Sequence, residues 1–193
     1  MADNNNEVKI EDSNVGGNLA GRDYTDKSIS VVNNYQSRST YLEDLYNRYE
    51  KEKVSNPEFR ELCEELDYLN SVIDNDVIGL EKKLENGGRE KLLDYALDVK
   101  DRFHRKLMKT SQYSAIAQDI NVFLLTKVRS SFMREIYTLI CQNESEERIN
   151  FLITERIIKP VQEDLGINLF RYNEDDIMGM IFFLTGNCHI KWN

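Results

Sequence analysis

Gly16 and Gly21 in "NVGGNLAGRDYTD" are separated by four residues and followed at once by Arg22, the outline of a loop that cradles phosphate. That chemistry needs a lysine after the second glycine to reach the terminal phosphates, then a serine or threonine hydroxyl for magnesium. Arg22 and Asp23 occupy those two positions. Asp23 offers no hydroxyl and would repel phosphate. A phosphate loop also follows a buried strand and opens a helix, whereas here "NNNEVKIEDSN" precedes it and the β-prone "SISVV" comes after. These residues read as a glycine-bearing arm, not as a nucleotide cradle.

The remaining chemistry is thin. His104, between Phe103 and Arg105, reads as a surface or boundary residue of a helix. His189 adjoins Cys188, but neighbours in extended chain point to opposite faces and cannot chelate one ion together. Cys188 and Ile190 are expected to pack inward, with His189 and Lys191 outward. The acidic pairs Glu64-Glu65, Glu146-Glu147 and Asp175-Asp176 fall where a helix start or polar face needs negative charge. The reading is therefore non-catalytic, with no cofactor and no metal site.

The elements that hold these residues are helical. Residues 1–38 are rich in Asn, Asp, Ser and Gly and lack a helical apolar period, so they form an arm. Within it Ile29, Val31 and Val32 give a short strand if a neighbouring edge is there to pair with, and a disordered segment otherwise. From residue 39 the pattern predicts an all-α, multi-helix bundle. Thr40 with Glu43 reads as a capping box opening a first helix, whose face carries Tyr41, Leu42, Leu45, Tyr46 and Tyr49.

Asn56-Pro57 reads as the cap and first turn of a second helix, bearing Phe59, Leu62, Cys63, Leu66, Leu69 and Ile73. A short helix with Val77, Leu80 and Leu84 stops at Gly87 and Gly88. A third long helix follows through Leu107, and a fourth runs from about Thr110 to Cys141. A fifth spans about Ser145 to Leu165, with a kink near Arg156 caused by Pro160, which cannot donate a hydrogen bond to the carbonyl four residues back. The last helix, "EDDIMGMIFFLTG", is apolar almost all round and is buried on every side or lies at an interface. Gly186 should close it, with "CHIKW" extended beyond.

A net charge of −9 disfavours direct contact with a phosphate backbone. The cations Lys100, Arg102, Arg105, Lys106 and Lys109 alternate with Val99, Phe103 and Leu107, as a solvated helix face does. A clamp accessory touching DNA through this run is the less favoured use of it. Three widely spaced cysteines suit a reducing compartment, no apolar run reaches a membrane span, and the first residues lack a signal-peptide pattern. The expected location is cytoplasmic.

Three segments carry a family resemblance: "GGNLAGRD" in the arm, "GLEKKLENGGREKLLDYALDVKDRF" in the middle and "GMIFFLTGNCHIKW" at the end. Together they resemble the small helical C-terminal domains of bacterial ABC-three-component conflict systems, including Lamassu-type anti-phage defence. The resemblance implies an accessory component working beside an ABC or SMC-like ATPase and an effector, often a nuclease, with nucleic acid met only through the complex. Such domains are generally fused to an effector. This sequence shows none, which points to a free-standing small subunit.

The residues expected to meet a partner, or a second copy, are Gly16, Gly17, Gly21, Arg22, Asp23, Ile29 and Val31 of the arm, with Phe182, Phe183 and Trp192 of the apolar end. The competing reading is a nucleotide-responsive switch or enzyme using the arm and the Cys188-His189 end.

Overall fold

The computed structural model describes residues 39–52, 60–73 and 79–192, and within them the backbone is helix and turn, with no strand. Helix α1 (Thr40–Glu52) is capped one residue earlier than the Thr40-Glu43 spacing suggests: the Leu42 N–H donates to Ser39 Oγ at 3.3 Å. Leu42, Leu45 and Tyr46 turn inward, while Tyr41 of the same expected face stays about half exposed. Helix α2 (Glu64–Asn70) is shorter than the second helix read from the sequence, and Asn56, Pro57 and Phe59 lie outside the described residues. Its first turn holds Glu64, Glu65 and Asp67, which favour the positive end of the helix dipole.

Helix α3 (Leu80–Asn86) ends as expected at a glycine pair. Gly88 takes a left-handed φ of 65°, letting the Arg89 N–H reach the Leu84 carbonyl at 2.7 Å and the Gly88 N–H the Glu85 carbonyl at 2.9 Å. Helix α4 (Leu93–Ser111) turns Ala96, Val99, Phe103 and Leu107 inward. A break at residues 112–114 then separates it from α5 (Ala115–Ser131), where the Ser114 hydroxyl caps the Ala117 N–H at 3.0 Å and donates to the Glu52 carboxylate at the end of α1. Helix α5 passes through one π-turn, Phe132–Ile136, into α6 (Tyr137–Cys141).

Helix α7 (Glu146–Ile153) continues through a second π-turn, Thr154–Ile158, into α8 (Lys159–Leu165). This wider turn contains Arg156, where Pro160 was expected to disturb the helix, and it absorbs the missing proline N–H. Helix α9 (Glu174–Gly186) opens with a reciprocal cap. The Asp176 N–H donates to Asn173 Oδ1 and the Asn173 N–H to Asp176 Oδ2, both at 2.9 Å.

The fold is organised by α9 lying against α4. A Cβ built on Gly179 would sit 2.4 Å from the Val99 carbonyl oxygen and 2.7 Å from Phe103 Cβ, so only glycine permits this approach. Around the pair, α5 supplies Ile120, Leu124, Leu125 and Val128, all fully buried. The end of the chain departs from the extended tail read from sequence. Gly186 stays inside the helix, and Cys188 instead adopts the left-handed φ of 66° that closes it, with the His189 N–H bonded to the Leu184 carbonyl at 2.8 Å. That turn carries His189 inward, to 5% exposure, and leaves Lys191 outside.

Candidate partner-binding surface

The arm residues Gly16, Gly17, Gly21, Arg22, Asp23, Ile29 and Val31 lie outside the described residues. The three candidates at the other end are enclosed by the chain itself: Phe182, Phe183 and Trp192 are at most 2% exposed. Their apolar character is therefore spent on intramolecular packing, and they present no surface to a partner. Trp192 meets Phe132 edge-on at 5.1 Å and stacks on Phe182 at 6.1 Å, with the Arg89 guanidinium 5.0 Å above its ring. Its indole N–H donates to Thr185 Oγ1 at 3.0 Å, and Thr185 passes a bond on to the Ile181 carbonyl at 2.8 Å. The buried ammonium of Lys83 caps the same turn by donating to the Thr185 carbonyl at 2.6 Å. The sequence reading assigned no role to Lys83.

The two histidines also have packing roles. His104 stacks on Phe183 at 5.8 Å. His189 lies against the Tyr68 ring at 4.9 Å, with the backbone of Tyr68, Leu69 and Ser71 beside its ring nitrogens. Burial, followed by the positive charge of Arg129, pushes its pKa below the ordinary histidine value, against the opposing pull of the backbone hydrogen bonds. Among the described residues no group of three or more His, Cys, Asp or Glu side chains is placed to hold a metal ion.

The basic run on α4 is largely committed to carboxylates. Arg102 lies 3.3 Å from Asp175, Arg105 is 3.0 Å from Asp101, and Lys106 is 2.5 Å from the buried Asp176. The run was expected to be a solvated face; Arg105 is exposed and Arg102 partly so, while Lys106 reaches a buried carboxylate. Tyr95 joins the first pair by donating to Asp175 Oδ1 at 3.1 Å, and burial with that carboxylate pushes its pKa up to about 12.

Open surface of a different kind lies where α1 and α2 flank α5. Gln118, itself buried, holds the strand of chain before α2 in place. Its Oε1 accepts from the Cys63 N–H at 2.7 Å, while its Nε2 donates to the carbonyls of Glu61 and Ser111, both at 2.9 Å. This fixes α2 beside α5 yet leaves a trough between α1 and α2. Its floor is the α5 stripe Asp119, Val122, Phe123, Thr126, Lys127 and Ser130, which recur at intervals of three and four and so share one helix face.

The trough comprises two connected hollows of about 510 and 330 Å3 that share Glu65, Val122 and Thr126. Tyr41, tilted against Phe123 at 5.7 Å, stands at one side and Tyr68 at the other, each about half exposed. Apolar spacing alone does not separate the buried side of α5 from this open one.

A third hollow, of about 470 Å3, lies beyond the glycine turn, lined by Gly87, Arg89, Asn143, Glu146 and Trp192 among others. Arg89 is already engaged there, with the Gly87 carbonyl at 2.9 Å and with the Trp192 ring.

The family follows from the segment that contains α3 to α9. Residues 79–192, more than half of the chain, match the model of C-terminal domain 9 of the ABC-three component (ABC-3C) systems. The chain belongs to that family. No curated protein and no solved structure shows a significant match. The ABC-3C domain thus includes the glycine turn at Gly87, the α4–α9 contact at Gly179 and the Trp192 anchor, whereas α1 and α2 precede it. The trough therefore has a floor inside the ABC-3C domain and walls outside it. No helix among the described residues is long and apolar enough to cross a membrane.

Proposed function

We propose that this ABC-3C component is a non-catalytic assembly subunit of an anti-phage defence complex of the Lamassu-like kind. It links an ABC or SMC-like ATPase to a nuclease effector and restrains that effector until invading DNA is sensed. The observation that carries this reading is the family match over residues 79–192, which ties the chain to systems of several components. The open trough on α5 supports it, because apolar surface rimmed by polar groups is what association sites offer. The arm of residues 1–38 adds a second means of association, strand addition to a companion's sheet edge, with Gly16, Gly17 and Gly21 allowing close backbone approach.

Co-expression with the products of the neighbouring genes tests the proposal. A stoichiometric complex containing the ATPase and the effector is expected, with effector activity lower in the complex than in the effector alone. Deleting residues 1–38 should release at least one companion. A chain that stays alone when mixed with its companions, or that turns over a nucleotide or nucleic acid when pure, refutes the reading.

A further inference from the structure

The trough on α5 has features that select its occupant. Its floor is the α5 stripe, with α2 along one side and Tyr41 of α1 beside the larger hollow, so the space matches a further helix laid alongside α5 by ridges-into-grooves packing. Val122 and Phe123 are half-buried, and Tyr41 and Tyr68 are 53% and 49% exposed. These four would contact the apolar face of an amphipathic helix through anchors spaced three and four residues apart.

The rim supplies the sign of the charge. Glu64, Glu65 and Asp119 line the hollows, and among the described residues none of the three has an ion-pair partner. Of the two nearby cations one is spoken for. Lys127 is paired with the Asp164 carboxylate and also donates to the Pro160 carbonyl at 3.4 Å, while Arg129, which lines the smaller hollow with Glu64 and Glu65 and whose Nε is buried without a partner, offsets one of the three carboxylates. The uncompensated charge at the mouth is negative, in a chain whose net charge is already −9.

Resting on the assembly reading above, we propose that this trough receives an amphipathic helix of a companion subunit, with apolar anchors over Val122 and Phe123 and lysine or arginine flanks against Glu64, Glu65 and Asp119. The charged rim speeds encounter and sets the register of the helix, while the apolar floor holds it. Tyr41, Glu64, Glu65 and Tyr68 precede the ABC-3C domain while Asp119, Val122 and Phe123 lie within it, so the specificity for this companion is shared between α1 and α2 and the matched domain.

Two measurements on the full chain test the inference. In the first, fluorescein-labelled helical peptides carry the same leucine stripe with either lysine or glutamate flanks, and binding is read by anisotropy. The lysine peptide is expected to bind at least about tenfold tighter, with the difference shrinking as salt is raised. The triple reversal Glu64→Lys, Glu65→Lys, Asp119→Lys should invert that preference, and the milder Glu64→Gln, Glu65→Gln, Asp119→Asn should abolish it if the reversal disturbs folding. Phe123→Ala should weaken both peptides. Equal binding of the two peptides, or none up to about 100 μM, a range that covers ordinary single-helix recognition, overturns the inference.

In the second, the triple neutral variant is co-expressed with the companion subunits. Loss or salt-sensitive weakening of one companion supports the trough as its dock. A complex unaffected by the variant overturns the trough while leaving the assembly reading intact. Absence of any complex with the unaltered chain refutes the assembly reading itself, and the peptide preference then decides the trough alone.

Discussion

Gly179 and Gly186 lie two turns apart on the same face of α9, and the same substitution should have opposite consequences at the two. At Gly179 an added methyl would stand 2.4 Å from the Val99 carbonyl oxygen and 2.7 Å from Phe103 Cβ. Both neighbours belong to or adjoin the α4 backbone, so relief requires the two helices to separate. At Gly186 the nearest atoms, 2.9 and 3.1 Å away, are Nζ and Cε of Lys100, the far end of a flexible side chain.

Replacing an interior helical glycine by alanine contributes about 1 kcal/mol through backbone entropy. Overpacking against fixed backbone costs about 3 kcal/mol or somewhat more. Gly179→Ala should therefore destabilise the fold by about 2–3 kcal/mol. Gly186→Ala, at the last turn where the propensity gain is partial, should fall between neutral and about 0.5 kcal/mol stabilising.

In a domain of this size each kcal/mol corresponds to about 2–4 °C in Tm, so the two variants should differ by about 4–14 °C. Circular dichroism at 222 nm, followed through heat and urea, measures both. The urea slope should stay unchanged, since the surface exposed on unfolding is the same. If the two variants agree to within about 0.5 kcal/mol, the α4–α9 contact is not as close as described and the reasoning fails.

Other outcomes follow from the same contacts. Cys188→Gly should stabilise the chain by up to about 1 kcal/mol, because Cys188 occupies a left-handed position that glycine adopts without strain, and Cys188→Val should destabilise it; matched urea curves decide. Trp192→Ala should cost about 3–5 kcal/mol through the cavity between Phe132, Phe182 and Arg89, seen as a loss of Tm.

Burial pushes the Tyr46 pKa up to about 12, and its hydroxyl has no partner. A raised folded pKa makes the contribution of this group complete below about pH 10 and lost as pH climbs through about 12. Tyr46→Phe should remove that alkaline loss and leave stability at neutral pH equal or higher. His189 has the opposite sense. Its folded pKa is depressed, so its contribution is present above the ordinary histidine range near 6.5 and lost as pH falls below it. His189→Leu should flatten that part of the acid limb relative to the unaltered chain.

The sequence determined the class of the fold and the extent of most long helices, because three- and four-residue spacing of apolar side chains is a local property of the chain. It also determined the stop at Gly87 and Gly88 and the disturbance near Arg156, since glycine and proline act on their own backbone. Family membership was legible in "GLEKKLENGGREKLLDYALDVKDRF" and "GMIFFLTGNCHIKW", within the matched residues 79–192.

What needed the tertiary structure was the assignment of surfaces. Phe182, Phe183 and Trp192 are as apolar as any docking surface, and only the arrival of α4, Phe132 and Arg89 from distant parts of the chain turns them into core. His189 was expected outside because extended chain alternates its side chains. The left-handed turn at Cys188 broke that alternation, at a residue type that seldom adopts it. The trough was hidden for a related reason. The stripe from Asp119 to Ser130 mixes apolar and polar residues, and whether such a stripe is floor or core depends on the spacing of α1 and α2, which Gln118 and the Ser114–Glu52 contact set across more than fifty residues of sequence.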